Sequence, residues 1–333
     1  MMSRAANSPP ATLRDVARAA GVSIASASRA LAGEGSVSAE LNARIGTAAA
    51  RLGYQANLAA RALVSGRSRL VGIVAETLAD PLIAGVLEQI EQRLGAQGYG
   101  TLLATTAGSP ERSSAATRGL IGRGAEALVF AGMGPHPAEI DLLAVHRLPW
   151  LELSDAPGSG SLWIDTGRRQ GGALAVRYLL ELGHRRYGVV GRRGDGIRQG
   201  VAAVLAQSDA GRLLPDAGGK DADSTDSAMR ALFDGGERPT AVICCSDVKA
   251  LAVVRGCSIR GIIVPDGVAI IGFGDEEFAR CAVPALTTIR VSAAAIGTHA
   301  AEMVLAMLAG DVPQRYDVPV KLVVRQSTGP VSG

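Results

Sequence analysis

Between residues 12 and 64 apolar positions recur every three or four residues, a spacing that predicts helices only. Leu13, Val16, Ala17 and Ala20 share one face of a first helix. Thr12 opens it, with Asp15 three residues on as a capping-box start. Gly21 breaks this helix and Ser23 caps a second that runs to about Leu31. Gly33, Glu34 and Gly35 make a turn. Ser38 caps a third helix through about Leu52, with Leu41, Ile45, Ala48 and Leu52 in register, and Gly53 stops it. An alanine-rich stretch over 57–64 reads as a short fourth helix, marginal alone at that length, and 65–69 reads as a linker.

After residue 70 the period changes. Short apolar runs at 70–75, 100–105, 127–132, 149–153, 187–191, 241–245 and 268–273 predict strands. Amphipathic stretches at 81–97, 113–123, 171–182 and 248–260 predict the helices between them. Strand, helix, strand at this spacing predicts an α/β core of parallel sheets joined by right-handed crossovers, with ligands beyond the carboxyl ends of the strands. Some 260 residues is large for one sheet, so two lobes are expected.

Composition narrows the class. The chain has 333 residues, 47% of them hydrophobic and 20% charged, as expected of a soluble, well-packed protein. No apolar run approaches the length of a membrane helix, and the first ten residues carry no secretory signal. The four cysteines (Cys244, Cys245, Cys257, Cys281) have neither disulfide-framework nor metal-ligand spacing, which implies a reducing cytoplasm. No metal or cofactor is expected. Charge is unevenly placed. Residues 1–70 hold nine arginines against three acids, whereas the rest holds 25 basic and 28 acidic residues. A basic head on a slightly acidic body points to a polyanion partner, and a solvated helical surface is the bland alternative.

The run TLRDVARAAGVSIASASRAL (12–31) has helix-turn-helix chemistry. A glycine permits the tight turn, Val22 fills the space between the helices, and the second helix exposes small polar residues and Arg29. A helix of this size fits a major groove, with its first residues at the base edges. These residues also resemble the DNA-binding head of the lactose-repressor (LacI/GalR) family of bacterial transcription regulators. Thr12, Asp15, Val16, Ala17, Ala20, Gly21, Val22, Ser23, Ser26, Ser28 and Arg29 stand in register with the family signature T-x-x-D-V-A-x-x-A-G-V-S-x-x-T-V-S-R. Ala27 stands where valine is usual. Val37, Ser38, Tyr54, Asn57, Ala60, Arg61 and Leu63 continue the match through the hinge, with Ala56 in place of the usual proline. In the body, LELGHRRYGVVG (180–191) and nearly all of 238–289 are similar to the family's effector-binding core.

The resemblance implies a transcriptional repressor built from an α-helical head and a two-lobed core like that of periplasmic binding proteins. It implies a tail over 1–11, expected to be disordered, a head over 12–56, a hinge helix and linker over 57–69, and a core over 70–330. Lobe one would take about 70–163 and 292–316, and lobe two about 164–291 and 317–330. Of the residues expected to touch DNA, Thr12, Ser23, Ser26, Ser28, Tyr54 and Asn57 would mostly meet phosphates. Ile24, Ala25 and Arg29 would read bases, and Leu63 would wedge into the minor groove. Leu13 and Ala60 complete that set. The partner would be a pseudo-palindromic operator bound by a homodimer, without a membrane. The effector would be a small molecule such as a sugar or sugar acid, facing Asp80, Glu152, Arg198, Ser246 and Asp275. The LEL and GFGD forms are similar to the gluconate-responsive branch. An enzyme is disfavoured because Gly191 to Gly196 does not follow G-x-G-x-x-G, and the four histidines lack a nucleophile or metal partner in sequence. A secreted sugar-binding protein is disfavoured by the missing signal and the DNA-reading head.

Overall fold

The structure, a computed structural model, describes residues 11–32, 38–55, 62, 66–132, 134–154, 162–191, 195–207, 211–214, 225–313, 316 and 318–331. The turn at 33–35 and the hinge positions Asn57, Ala60 and Leu63 lie outside the described residues. The chain divides into two compact units, Met1–Ser68 and Arg69–Gly333.

The first unit contains α1 (Leu13–Ala19), α2 (Ile24–Ala32) and α3 (Ala39–Leu52). Each begins where the sequence supplies an oxygen. The Thr12 hydroxyl accepts from the Asp15 amide while the Asp15 carboxylate accepts from the Thr12 amide, satisfying donors that the first turn leaves open. Ser23 Oγ accepts from the Ser26 amide at 3.1 Å, and Ser38 Oγ from the Leu41 amide at 3.3 Å. Gly53 closes α3 in the left-handed region, which a Cβ would disfavour. The core of this unit is Val16, Ala17, Ala20, Ala27, Ile45, Ala48 and Ala49. Ala27 is fully buried, so the methyl that replaces the usual valine sits where the helices meet.

The second unit follows the alternation read from the sequence, with more elements than that reading named. In order they are β1 (Leu70–Ala75), α4 (Pro81–Ala96), β2 (Gly100–Thr105), α5 (Pro110–Gly122), β3 (Ala127–Ala131), α6 (Pro137–Val145), β4 (Trp150–Leu153) and β5 (Leu162–Ile164). Then come α7 (Arg168–Glu181), β6 (Arg186–Val190), α8 (Gly196–Leu205), β7 (Arg212–Leu213), α9 (Thr225–Phe233), β8 (Ala241–Cys244) and α10 (Asp247–Ile259). The chain finishes with β9 (Ala269–Gly274), α11 (Glu277–Cys281), β10 (Thr287–Arg290), α12 (Ala293–Ala309) and β11 (Lys321–Val323).

Two sheets form. One runs β2-β1-β3-β4-β5 and the other β11-β10-β9-β8-β6-β7. All pairings are parallel except β10 with β11, which departs from the expected all-parallel pattern. The reason lies in the path. After β10 the chain leaves its sheet for α12, which packs on α4 beside the first sheet, and only then returns to form the edge strand. The chain therefore comes back to the sheet from lobe one and enters the edge beside β10 running the opposite way. The chain thus passes between the lobes at 164–168, at 290–293 and again between 309 and 321.

The central strands β1, β3 and β8 carry almost unbroken apolar burial, as positions covered on both faces require, whereas the edge strands β2, β7 and β11 are part-exposed. Val71, Ile73, Ile90 and Leu151 of lobe one belong to one core with Val176, Tyr187, Ile243 and Phe273 of lobe two. Among the described residues no helix is long and apolar enough to cross a membrane.

Candidate nucleic-acid interface and inter-lobe cleft

On the head, the turn between α1 and α2 places Gly21 at φ +63°, the left-handed value a tight turn requires there. Val22 packs partly against the helical core, as the sequence predicts. With Ala27 facing inward, the opposite side of α2 presents Ile24, Ala25, Ser28 and Arg29 to solvent. Ile24 is 45% exposed, high for an isoleucine at the start of a helix. Arg29 lies back along its own helix, its Nε–H donating to the Ala25 carbonyl at 3.4 Å. The Ser23 and Ser26 hydroxyls lie 2.9 Å apart. Thr12 is exposed but its hydroxyl already donates to Asp15 at 2.6 Å. Leu13 and Tyr54 are half-buried against the core of the head.

In the second unit, four of the five residues expected to face an effector lie at the carboxyl ends of the strands or in the loops that follow, and the fifth, Arg198, lies in the first turn of a helix. Asp80 is the N-cap of α4, where Oδ1 accepts from the Leu82 amide at 3.0 Å. Its other oxygen accepts from Arg168, 88 residues away, at 2.5 Å. Glu152, on β4, is 2% exposed and accepts from the Ser154 hydroxyl at 2.6 Å. Arg198, in the first turn of α8, donates to the Val189 carbonyl at 3.0 Å. Ser246 caps α10, its hydroxyl accepting from the Lys249 amide at 3.3 Å. Asp275 sits in the left-handed region at φ +58°, with one oxygen on Arg290 (2.5 Å) and the other on Arg325 (2.6 Å). Two guanidinium groups therefore hold its carboxylate.

The centre of this region is a residue that the sequence reading did not single out. Arg168 opens α7, and its side chain is only 11% exposed. Besides the bond to Asp80, its Nη1–H donates to the Cys245 carbonyl at 2.8 Å and lies 3.6 Å from Asp195. The guanidinium carbon stands 5.1 Å from the centre of the Phe273 ring, a cation–π distance. A signal for it existed. A cation at the first position of a helix opposes the helix dipole, so a buried arginine there requires acids nearby. Asp195 supplies one, and was also not singled out. It caps α8 through Oδ1, which accepts from the Ile197 amide at 2.8 Å.

Further acids crowd the same end of the second sheet. Asp247 is fully buried, accepting from the Thr288 hydroxyl at 2.6 Å and the Glu276 amide at 2.8 Å. Burial pushes its carboxyl above the ordinary aspartate range. Glu276 is pushed up as well, first by burial and then by Asp247, Asp80 and Asp275. Asp80 of lobe one therefore shares its electrostatic surroundings with lobe two. The neighbouring Cys245 thiol is driven up to about 11, chiefly by burial and then by Asp195, which keeps it protonated and inert. No cluster of His, Cys, Asp and Glu among the described residues has the makings of a metal site.

A three-helix head with an exposed second helix, joined to two α/β lobes with polar side chains gathered at their strand ends, defines a ligand-controlled helix-turn-helix regulator. The family model for bacterial regulatory proteins of the lacI family matches residues 12–57, and that for the periplasmic binding protein-like domain matches 176–328. The HTH-type transcriptional regulator GntR of Pseudomonas aeruginosa is 31% identical over 328 residues, covering 95% of each chain. The structure of the Lac repressor dimer bound to operator and the anti-inducer ONPF superposes with a TM-score of 0.83 at 25% identity, covering 96% of this chain and 100% of that one. A complex of the transcriptional regulator CelR with cellobiose gives 0.67 at 25% identity, covering 95% and 99%. The chain belongs to the lacI family of bacterial transcription regulators, and is a DNA-binding regulator rather than an enzyme.

Proposed function

We propose that this regulator is a repressor that binds a pseudo-palindromic operator as a homodimer in the cytoplasm, and that a sugar or sugar acid held between the core lobes controls its affinity. The observation that carries the DNA-binding half is the outer face of α2, where Ile24, Ala25, Ser28 and Arg29 stand together in solvent. Ile24 and Ala25 have no side-chain donor, so discrimination there is apolar, against a thymine methyl for example. Arg29 has the fork geometry for guanine. Ser23, Ser26 and Ser28 supply hydroxyls for phosphates, with Thr12, Leu13 and Tyr54 at the flank of the helix pair. Asn57, Ala60 and Leu63 extend the contact by their match to the family hinge.

The homodimer is supported by an apolar face on lobe two, where Val248, Leu251, Ile259 and Val283 are exposed, and by exposed Leu103 on lobe one. Two-fold symmetry would present two heads to two half-sites. The effector reading is supported by Asp80, Ser246 and Asp275 in one acid-rich neighbourhood, and by the cellobiose bound to CelR. Glu152 and Arg198 complete the proposed lining. An acid such as Glu152 takes two hydroxyl hydrogen bonds, which suits polyols. The GFGD form and the likeness to GntR favour a sugar acid.

Enrichment of the full-length protein against a random duplex library tests the first half. One dominant half-repeat is expected, and no preference for any duplex, with or without candidate metabolites, would overturn it. Calorimetry with gluconate and glucose tests the second half, and heat from neither rejects the sugar-acid and the simple-sugar readings together.

A further inference from the structure

We infer that Arg168 is a cross-lobe latch, anchored on lobe two and closed on Asp80 of lobe one, which holds the two lobes in the arrangement described above. The anchoring is one-sided. The Cys245 carbonyl directly follows β8, Asp195 caps α8 and Phe273 lies on β9, so three of the four described partners belong to the second sheet and its helices. Its own helix α7 packs on α8 in the same lobe. Of these described partners Asp80 alone belongs to the other lobe, as the N-cap of a helix on the first sheet.

Both ends are held rigidly. Asp80 is tied to α4 through the Leu82 amide, and Arg168 follows Gly167, whose left-handed φ of +78° starts α7 where the chain enters lobe two. A Cβ at Gly167 would press on Val320 at 2.6 Å, so this crossing point is fully packed. Charge-assisted hydrogen bonds weaken steeply once stretched, so a displacement of about 1–2 Å between lobes releases the contact without disturbing the other three. The latch is therefore a two-state element, either closed on Asp80 or open.

This inference rests on the preceding reading only where operator affinity is the readout. The test is a double-mutant cycle in the full-length protein with Arg168→Met, which keeps the stem over Phe273, and Asp80→Asn, which keeps an oxygen for the helix cap. Hydrogen–deuterium exchange of the free protein over 76–84 and 164–170 reads the latch directly. Gel shift on the library-enriched duplex reads its consequence. Each single variant is expected to raise exchange in both segments and to change operator affinity about 5-fold or more, in the same direction, while the double variant goes no further than either single. Arg168→Lys is expected to recover part of the effect. Additive effects in the double variant, or exchange in both segments unchanged by Asp80→Asn, would overturn the latch. A wild-type protein that selects no duplex would sink the operator reading but leave the exchange cycle standing as the test.

Discussion

Among the described residues Arg29 makes one long bond, to the Ala25 carbonyl of its own helix, which leaves its guanidinium available on the outer face of α2. Arg29→Ala is expected to weaken specific binding by about 1–3 kcal/mol and to relax preference at one base pair. Binding selection with the variant checks this, and an unaltered site preference refutes it. His184 makes the opposite point about single residues. It is 2% exposed, and its Nε2 lies 3.0 Å from the Gly329 carbonyl, so that nitrogen carries the hydrogen. Burial depresses its pKa below the ordinary 6.5, with Arg185 adding to the effect. The unfolded chain therefore takes up this proton more readily, and the contribution of His184 is complete above about pH 6.5 and lost as pH falls through the depressed value. His184→Gln should be less stable at about pH 7.5, with the gap to wild type narrowing towards about pH 5. Thermal denaturation across that range decides it, and a gap of constant size would show that the histidine does not titrate as its burial requires.

Among the elements, α7 and α8 lie closer than side chains allow. A Cβ on Gly172 would overlap the Ile197 carbonyl of α8, and one on Gly200 would overlap the Arg169 carbonyl of α7. The two glycines let the backbones cross, and they seat Arg168 and Asp195 on adjoining helix ends. Gly200→Ala is expected to cost about 1–3 kcal/mol through forced displacement of α8, well beyond the slight gain alanine gives an isolated helix. Calorimetry should show a lowered transition for the core, and a raised one would mean the helices are not in contact. Helix existence in the head was legible in the sequence because Thr12, Ser23, Ser38, Gly21 and Gly53 are local signals, each satisfied within four residues. The short elements β5, β7, α11 and β11 were not legible, since strands of two or three residues and a five-residue helix carry no period, and the sequence reading also left α6, α8, α9, β10 and α12 unnamed.

At the scale of the molecule, an exposed apolar face on lobe two invites a second copy. Leu251 is 40% exposed on α10 beside Val248 and near Val283, which lies in the loop after α11. Leu251→Asp is expected to shift the protein to monomer in sedimentation and to weaken operator binding by more than tenfold, because one head alone loses the second half-site. A variant that stays dimeric would move the interface elsewhere. The likeness to the Lac repressor dimer and to the CelR–cellobiose complex spans nearly the whole chain.

Residue order along the chain was enough to fix the helical head, the solvent-facing side of α2, and the α/β alternation behind it. Those properties follow from interactions within a few residues, where cap, turn and hydrophobic period act on the same short segment. The neighbours of Asp80 and Asp275 needed the folded chain. One meets Arg168 and the other Arg290 and Arg325, and nothing local to either acid names its partner. Folding alone also sent α12 back to lobe one and turned β11 antiparallel. Such pairings are chosen by long-range packing of whole sheets and helices, a choice that a chain reveals only after it has closed on itself.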